Sequence, residues 1–487
     1  MTAQTSTAPR TTNRPAGRNL SRIAAVIGAA LLFAILMLGV RARWVPLEAV
    51  DGDLARALNR AIAPHPLAVG VMKFISVLGS RAVLIWLIAI ATVLLVVRRQ
   101  YRLAAFLVVA GVGSAILDPT LKQAIGRLRP VVAHPVAVGG GNSFPSGHAL
   151  GSFVSYGALL LVFLPALPRR ARRPVIIGLA VLVGLIGFSR LALGVHFLSD
   201  VVGAWCLGVA WLGLTTYVFE LHRHEAGRRV TRPVTEGLEP EAATDLRPAD
   251  RTVSSGALGG WLAAAGAVVA WVLTFGLLCA IGIPLAHYRG GNGNVLGDTT
   301  IPHFLAAHRT ATLNRISYLG SEAGNTHMIL AVGLIGGAAA LAAIRRWRAV
   351  VFLLAVMFGE LTLFLAAAAI VGRARPDVPH LDGPLPTSSF PSGHVAATVL
   401  LYAAFTVLVL PRTSAWWRWV VAAIAVLMPV WVGLSRMYRG MHHPTDLLGS
   451  LILAACWLAA MLYLIRPNIA TVAAARTRPE REPAVAR

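Results

Sequence analysis

Apolar runs long enough to cross a bilayer recur along the whole chain, and the polar stretches between them are short. A bilayer core takes about 17 to 25 helical residues, and about twelve runs reach that length. They lie near 23–40, 81–97, 103–119, 148–166, 175–193 and 199–219, then 259–286, 328–344, 349–371, 394–410, 420–434 and 446–465. All are predicted to be helices, because an open sheet leaves backbone groups unsatisfied in lipid. The first follows an arginine-bearing tail with no small-residue cleavage site behind it, so it is expected to stay as an anchor. From about 221 to 257 the chain is rich in Arg, Glu, Asp, Thr and Pro with no apolar period, which reads as a linker. The predicted organisation is an all-α polytopic membrane protein of two tandem six-helix bundles. Its parts are a tail (1–22), a first bundle (23–220), the linker (221–257), a second bundle (258–466) and a tail (467–487).

The basic residues orient these spans. Arg10, Arg14, Arg18 and Arg22 precede the first. On the same side by alternation fall Arg98, Arg99 and Arg102, then Arg169, Arg170, Arg172 and Arg173, and in the linker Arg223, Arg228, Arg229 and Arg232. The second half repeats this with Arg345, Arg346 and Arg348, then Arg412 and Arg418, and the Arg-rich tail. Excess Lys and Arg marks the cytoplasmic side. Both termini are therefore expected in the cytoplasm, in a plasma membrane crossed many times.

Composition agrees. Hydrophobic residues make up 56% and charged residues 13%, about half the charge of a soluble domain. The net charge of +24 raises the question of nucleic acid, but the arginines sit beside apolar runs and no basic face interleaved with aromatics occurs, so no nucleic-acid partner is expected. Cys206, Cys279 and Cys456 lie inside apolar runs without metal-ligand spacing, which points to neither disulfides nor zinc. Of the 44 lysines and arginines only Lys73 and Lys122 are lysines, a bias that fits a GC-rich bacterial genome.

A long internal repeat links the halves. Phe-Pro-Ser-Gly-His ends at His148 and again at His394, 246 residues later. Ser-Arg-x5-His-x3-Asp runs from Ser189 to Asp200 and from Ser435 to Asp446, and Gly-Arg-x-Arg-Pro ends at Pro130 and Pro376, both at the same offset. Ile-Ser-x-Leu-Gly-Ser, at Ile75 and Ile316, is displaced by 241 instead. By alternation, all copies of the first three motifs fall at extracytoplasmic helix ends.

Those residue types suit a phosphate site. In the first half Lys122, Arg127 and Arg129 follow the third span; arginine's fork matches phosphate oxygens and lysine adds a point charge. Pro-Ser-Gly ahead of a helix adds backbone N–H groups and the positive end of its dipole. His196 and Asp200 are four apart, so on one helix face the carboxylate can hold one ring nitrogen and leave the other free to attack. His148 can protonate the leaving oxygen. Together these groups describe phosphoryl transfer through a phosphohistidine, without a metal.

Lys122-x6-Arg129-Pro130, Pro145-Ser146-Gly147-His148 and Ser189-Arg190-x5-His196-x3-Asp200 resemble the tripartite signature of the type-2 phosphatidate phosphatase superfamily. The resemblance implies a six-helix membrane core, His196 as nucleophile, Asp200 orienting it and His148 as acid. It also implies phosphate held by Lys122, Arg129, Ser146, Gly147 and Arg190, and no cofactor. The second half matches with His442, Asp446 and His394 in the catalytic positions and Arg375, Ser392, Gly393 and Arg436 around the phosphate. It departs at Ala368, where the pattern has lysine, and Arg373 or another group would have to substitute for that charge.

The expected function is metal-independent hydrolysis of a phosphomonoester or diphosphate lipid at the outer leaflet. Phosphatidate, phosphatidylglycerol phosphate and polyprenyl diphosphate are the candidate substrates. Membrane lipids are the expected partners, and the two halves could pair with each other. Alternatives are a lipid phosphotransferase using the same intermediate and a non-catalytic lipid-phosphate binder or transporter. The parallel halves, with their polar residues at one surface, argue against transport. Glu360 sits mid-span as an intramembrane carboxylate, and Asp118, four before Lys122, is placed to pair with it.

Overall fold

The structure, a computed structural model, describes residues 16–225, 231–247, 260–287, 294–383 and 385–468, without the side chains of 16–22 and 224. Arg10, Arg14, the side chains of Arg18 and Arg22, Arg228, Arg229 and the tail beyond Asn468 lie outside this description. The described residues are helical with no strand, and twelve of the helical stretches are long and apolar enough to cross a membrane. The chain divides into two compact units, 1–247 and 248–487.

In the first unit α1 (Ala16–Arg41) leads to α2 (Val45–Ile62), α3 (Pro66–Leu78), α4 (Arg81–Val97) and α5 (Tyr101–Ile125). After a loop come α6 (Gly147–Phe163), α7 (Arg169–Ala192) and α8 (Leu198–Glu225), then two single turns, α9 (Pro233–Glu236) and α10 (Ala243–Leu246). The core is formed by α4, α5, α6 and α8, with Leu103, Leu107, Leu150 and Val154 completely buried. The outer faces are apolar too: Leu31 and Ile35 on α1 are more than half exposed. Such a surface is stable only where lipid solvates it.

The second unit repeats the plan with α11 (Gly260–His287), α12 (Thr300–Ala307), α13 (Ala311–Ala323), α14 (Thr326–Ile344), α15 (Trp347–Val371), α16 (Gly393–Val409), α17 (Trp417–Tyr438) and α18 (Pro444–Ile465). The repeat extends into the packing. Gly113 leaves room for the Trp211 indole, whose Nε1 donates to Ala110 O at 3.0 Å, and Gly359 does the same for Trp457, whose Nε1 donates to Val356 O at 3.1 Å. A Cβ at either glycine would lie 2.0 Å from the indole.

Two features depart from the sequence reading. The helices α2, α3, α12 and α13 fill what the apolar pattern left as connections; they are short or carry polar residues at the buried positions, such as Asp51 and Asn59 of α2. The stretch expected to be a plain linker is also partly folded onto the first unit. Leu238 is buried and its N–H donates to Leu161 O, while Arg223 bonds Glu241 at 2.7 Å and Arg98 donates to Asp245 O. Leu238, Ala242 and Leu246 supply the apolar contacts that a composition scan averages away.

Candidate active site

Local chain geometry gathers the motifs at one end of each bundle. Gly126 ends α5 and Gly372 ends α15 with φ of +71° and +61°, a left-handed conformation that glycine adopts without steric cost. Each turn throws the following Arg-x-Arg across the mouth of the bundle. Ser146 and Ser392 stand at the N-termini of α6 and α16, and Pro444 occupies the first turn of α18, where its missing N–H costs nothing.

In the first unit His196 is 2% exposed. Its Nδ1 lies 3.2 Å from Asp200 Oδ2, which also accepts from the Phe197 N–H at 2.9 Å and from the Ser143 hydroxyl. With Nδ1–H directed at the carboxylate, Nε2 carries the lone pair, and Arg129 Nη1 lies 3.1 Å from it. Burial, reinforced by Arg129 and Arg190 and only partly opposed by Asp200, pulls the His196 pKa down to about 4. The ring is therefore a free base at neutral pH.

Lys122, Arg129, Arg190 and His196 are the charged groups and ring that act on His148, so the predicted catalytic and phosphate-binding residues share one space. Lys122 pairs with Asp118 at 2.7 Å, as the four-residue spacing predicts, and Arg81 shares that carboxylate at 3.0 Å. Arg129 is held by Val195 O, Gly140 O and Gly141 O, and burial lowers its pKa. Ser146 Oγ and Arg190 Nε are buried and have no hydrogen-bond partner among the described residues. A buried donor without a partner is costly, and an anion between these groups would remove that cost.

Arg127 is not among the phosphate-facing groups, contrary to its sequence grouping. Its Nη1 donates to Asp200 Oδ1 at 2.8 Å and its Nη2 to Asp51 Oδ2 at 2.7 Å, and Asp51 also accepts from the Ser199 N–H at 3.0 Å. The second unit contains the same chain. Arg373 donates to Asp446 Oδ1 and Asp298 Oδ2, both at 2.5 Å, and Asp298 accepts from the Thr445 N–H at 3.0 Å. Arg373 is thus committed behind Asp446 and does not replace the lysine missing at Ala368. Asp51 and Asp298 escaped the sequence reading; their signal was a carboxylate recurring at nearly the common offset, 247 residues apart.

One apparent repeat is out of register. Arg190 Nη1 bonds Ser76 Oγ at 2.5 Å, whereas Arg436 Nη1 bonds Ser321 Oγ at 2.8 Å. A Cβ on Gly79 would touch Ile186 and His148, and one on Gly324 would touch Val432 and His394. The structural equivalents are therefore 245 apart, not 241, and the matching Ile-Ser-x-Leu-Gly-Ser strings sit about one helical turn out of step.

The second site gathers His442, Asp446, His394, Arg375 and Arg436, but differs in contacts. His442 Nδ1 lies 2.8 Å from Ser389 O, with Asp446 Oδ2 at 3.6 Å. Either neighbour leaves Nε2 unprotonated, and burial takes the His442 pKa to about 4. Arg375 donates to Met441 O at 2.6 Å, and burial lowers its pKa. Ser392 Oγ is buried without a partner among the described residues, like Ser146. Phe364 and Ala368 replace Asp118 and Lys122; a Cβ on Gly147 would strike Asp118, and one on Gly393 would strike Phe364. Glu360, at the position of Ser114, is buried inside α15.

Comparison with known proteins decides the family. The model of the PAP2 superfamily matches residues 100–223 and again 327–470. The chain belongs to the PAP2 superfamily. Both PAP2 regions include the three motifs of their half. Phosphatidylglycerophosphatase B of Bacillus subtilis is 32% identical over 183 residues, 37% of this chain and 87% of that protein. An undecaprenyl-diphosphatase of Sulfolobus acidocaldarius is 31% identical over 158 residues, 31% of this chain and 70% of that protein. A lipid A 1-phosphatase of Rhizobium johnstonii is 32% identical over 128 residues, 24% of this chain and 48% of that protein. The crystal structure of a PAP2-type phosphatidylglycerolphosphate phosphatase from Bacillus subtilis aligns with 44% of this chain and 98% of that one, at 25% identity and a TM-score of 0.34.

Proposed function

We propose that this PAP2 protein is a multi-pass membrane phosphatase that hydrolyses a phosphomonoester or diphosphate lipid at the outer leaflet through a phosphohistidine, with the first unit carrying most of the turnover. The observation that supports it most is the His196 arrangement: Nδ1 against Asp200, Nε2 unprotonated and aimed into a space shared with Lys122, Arg129, Arg190 and His148. Phosphatase relatives make hydrolysis the favoured outcome.

In the reaction His196 Nε2 attacks phosphorus as the bond to the lipid oxygen breaks, and His148 gives that oxygen its proton. The imidazolium character that develops on the attacking ring is stabilised by Asp200, itself fixed by Arg127, Ser143 and the Phe197 N–H. Lys122, Arg129, Arg190 and the Ser146–Gly147 turn take the three non-bridging oxygens, where charge accumulates. Water then attacks phosphorus as the bond to His196 Nε2 breaks, giving its proton to His148 and releasing inorganic phosphate and the free ring. A diphosphate substrate leaves as the lipid monophosphate. The arginine distribution supports cytoplasmic termini and a site on the outer face.

The test is phosphate release from phosphatidate, phosphatidylglycerol phosphate and polyprenyl diphosphate, in EDTA, by wild type, His196→Ala, His442→Ala and the double variant. Activity should persist in EDTA, yield to vanadate, lose its larger part in His196→Ala and fall at least a thousandfold in the double variant. A double variant as active as wild type, or a strict need for a divalent metal, would overturn the assignment. Consumption of the donor lipid that depends on an added lipid or sugar hydroxyl, with the phosphoryl group recovered on that hydroxyl and not as inorganic phosphate, would identify a phosphotransferase.

A further inference from the structure

The two units differ most in what stands against the motif arginine of α7 and α17. Arg190 has Ser76 as its bonded partner and no carboxylate among the described residues. Arg436 Nη1 keeps the matching Ser321 contact at 2.8 Å and donates in addition to Asp382 Oδ2 at 2.6 Å. Asp382 comes from the loop between Arg375-Pro376 and the Pro-Ser-Gly-His turn, a loop of equal length in both halves, and at the 246-residue offset its counterpart is Val136. Its other oxygen is gripped by Arg439, Nε at 2.7 Å and Nη2 at 2.6 Å, and the counterpart of Arg439 is Leu193. The second half thus carries a carboxylate, and a guanidinium to hold it, where the first half has Val136 and Leu193.

The position of this carboxylate gives it significance. Asp382 acts electrostatically on both His394 and Arg375, so it lies among the groups that would surround a phosphate. Arg436 and Arg439 together hold its pKa below the usual carboxylate range against the opposing effect of burial, so it is anionic at neutral pH. Carboxylate and phosphate present the same chemistry to a guanidinium: paired anionic oxygens at hydrogen-bond distance. Arg436 Nε and Nη2 remain buried without partners among the described residues, so the carboxylate answers only part of the demand.

We infer that Asp382 is an internal competitor for phosphate in the second unit, so that a lipid phosphate enters that site only by displacing the Asp382 carboxylate from Arg436. Resting on the phosphatase reading above, this makes Asp382 the residue that sets the second site's affinity and choice of anion. The exchange breaks the two contacts of Oδ2, Arg436 Nη1 at 2.6 Å and the Ser321 hydroxyl at 3.4 Å. Arg439 is anchored independently by Leu381 O at 3.0 Å and Ser317 Oγ at 3.4 Å, so it can keep Oδ1 while Oδ2 leaves Arg436. The incoming anion gains Arg436 and the unpartnered Ser392 hydroxyl, but finds Ala368 where the first unit offers Lys122. Poorly charged anions therefore lose the competition.

The experiment uses the full-length detergent-solubilised protein with its first site silenced by Arg190→Ala and His196→Ala. Orthovanadate binding by calorimetry and phosphate release from the lipid panel are measured with and without Asp382→Asn, which keeps the side chain's shape and one acceptor for Arg439. Expected is at least a tenfold tighter vanadate Kd on neutralising Asp382, with KM for the lipid falling in parallel. Tighter vanadate binding without turnover would keep Asp382 as the competitor and remove the second unit from the catalytic reading. An unchanged or weaker Kd in Asp382→Asn and Asp382→Ala, with unaltered melting temperature, would overturn the inference. The reciprocal change tests it independently: Val136→Asp with Leu193→Arg, in a His442→Ala and Arg436→Ala chain, should weaken vanadate binding at the first site about tenfold, and unchanged binding counts against it.

Discussion

Replacing Asp51 by Asn would test whether the chain Asp51, Arg127, Asp200, His196 positions the attacking ring. Asp51 is 1% exposed and its carboxylate receives Arg127 Nη2, the Ser199 N–H and the Ser199 hydroxyl. An asparagine offers one acceptor oxygen, and its NH2 group is set against either the Ser199 N–H or Arg127 Nη2, neither of which can accept from it. At least one buried donor then loses its partner, at a cost of about 1–3 kcal/mol. Arg127 keeps Asp200, so its charge is not orphaned and the larger penalty for a broken buried pair does not apply. If the loss falls mainly on the geometry of Asp200 in the transition state, kcat drops about 5- to 150-fold, since about 1.4 kcal/mol is tenfold. KM should change little, because Asp51 touches none of the phosphate-facing groups. Initial rates and a melting curve, in a His442→Ala background, make the distinction. A kcat within twofold of the parent with a lowered melting temperature would reduce Asp51 to scaffolding and refute the positioning argument; a rise in KM alone would place it with the phosphate instead.

Three other expectations follow from the same geometry. The rising limb of kcat/KM for the free enzyme should lie near pH 4, because burial depresses the His196 pKa and only its neutral form attacks; a limb at the ordinary imidazole value near 6.5 would contradict the buried geometry. The same depression makes stability fall as pH drops from about 6.5 toward 4, where the unfolded chain binds a proton that the native state refuses. Gly147→Ala places a Cβ 2.8 Å from both Asp118 oxygens, so the carboxylate that orients Lys122 must move. KM should rise about tenfold with a destabilisation of about 1–3 kcal/mol, measured by phosphate release and thermal melting; unchanged KM would mean that the Asp118–Lys122 pair does not position phosphate.

The sequence by itself determined the membrane class, the twelve candidate spans and the duplicated motifs. A bilayer leaves an apolar run of this length only one backbone solution, and the histidines, arginines and carboxylates of a phosphate site recur at fixed intervals that a string comparison detects. The spacing of His196 and Asp200 even fixed their contact, because four residues is one helical turn. Tertiary structure decided the rest. Arg127 and Arg129 are two residues apart in one motif, yet one is buried behind Asp200 and the other faces His196. Asp51 on α2, Ser76 on α3 and Asp298 in the turn before α12 reach the site from segments that the apolar pattern left as connections. The inequality of the two units is of this kind as well. Ala368 was visible as a missing lysine, but an aspartate in a Gly- and Pro-bearing loop looks like ordinary turn chemistry until folding sets it against Arg436. Local pattern dictates which helix a residue joins; pairing across more than fifty residues depends on how helices pack, and a linear sequence does not state that directly.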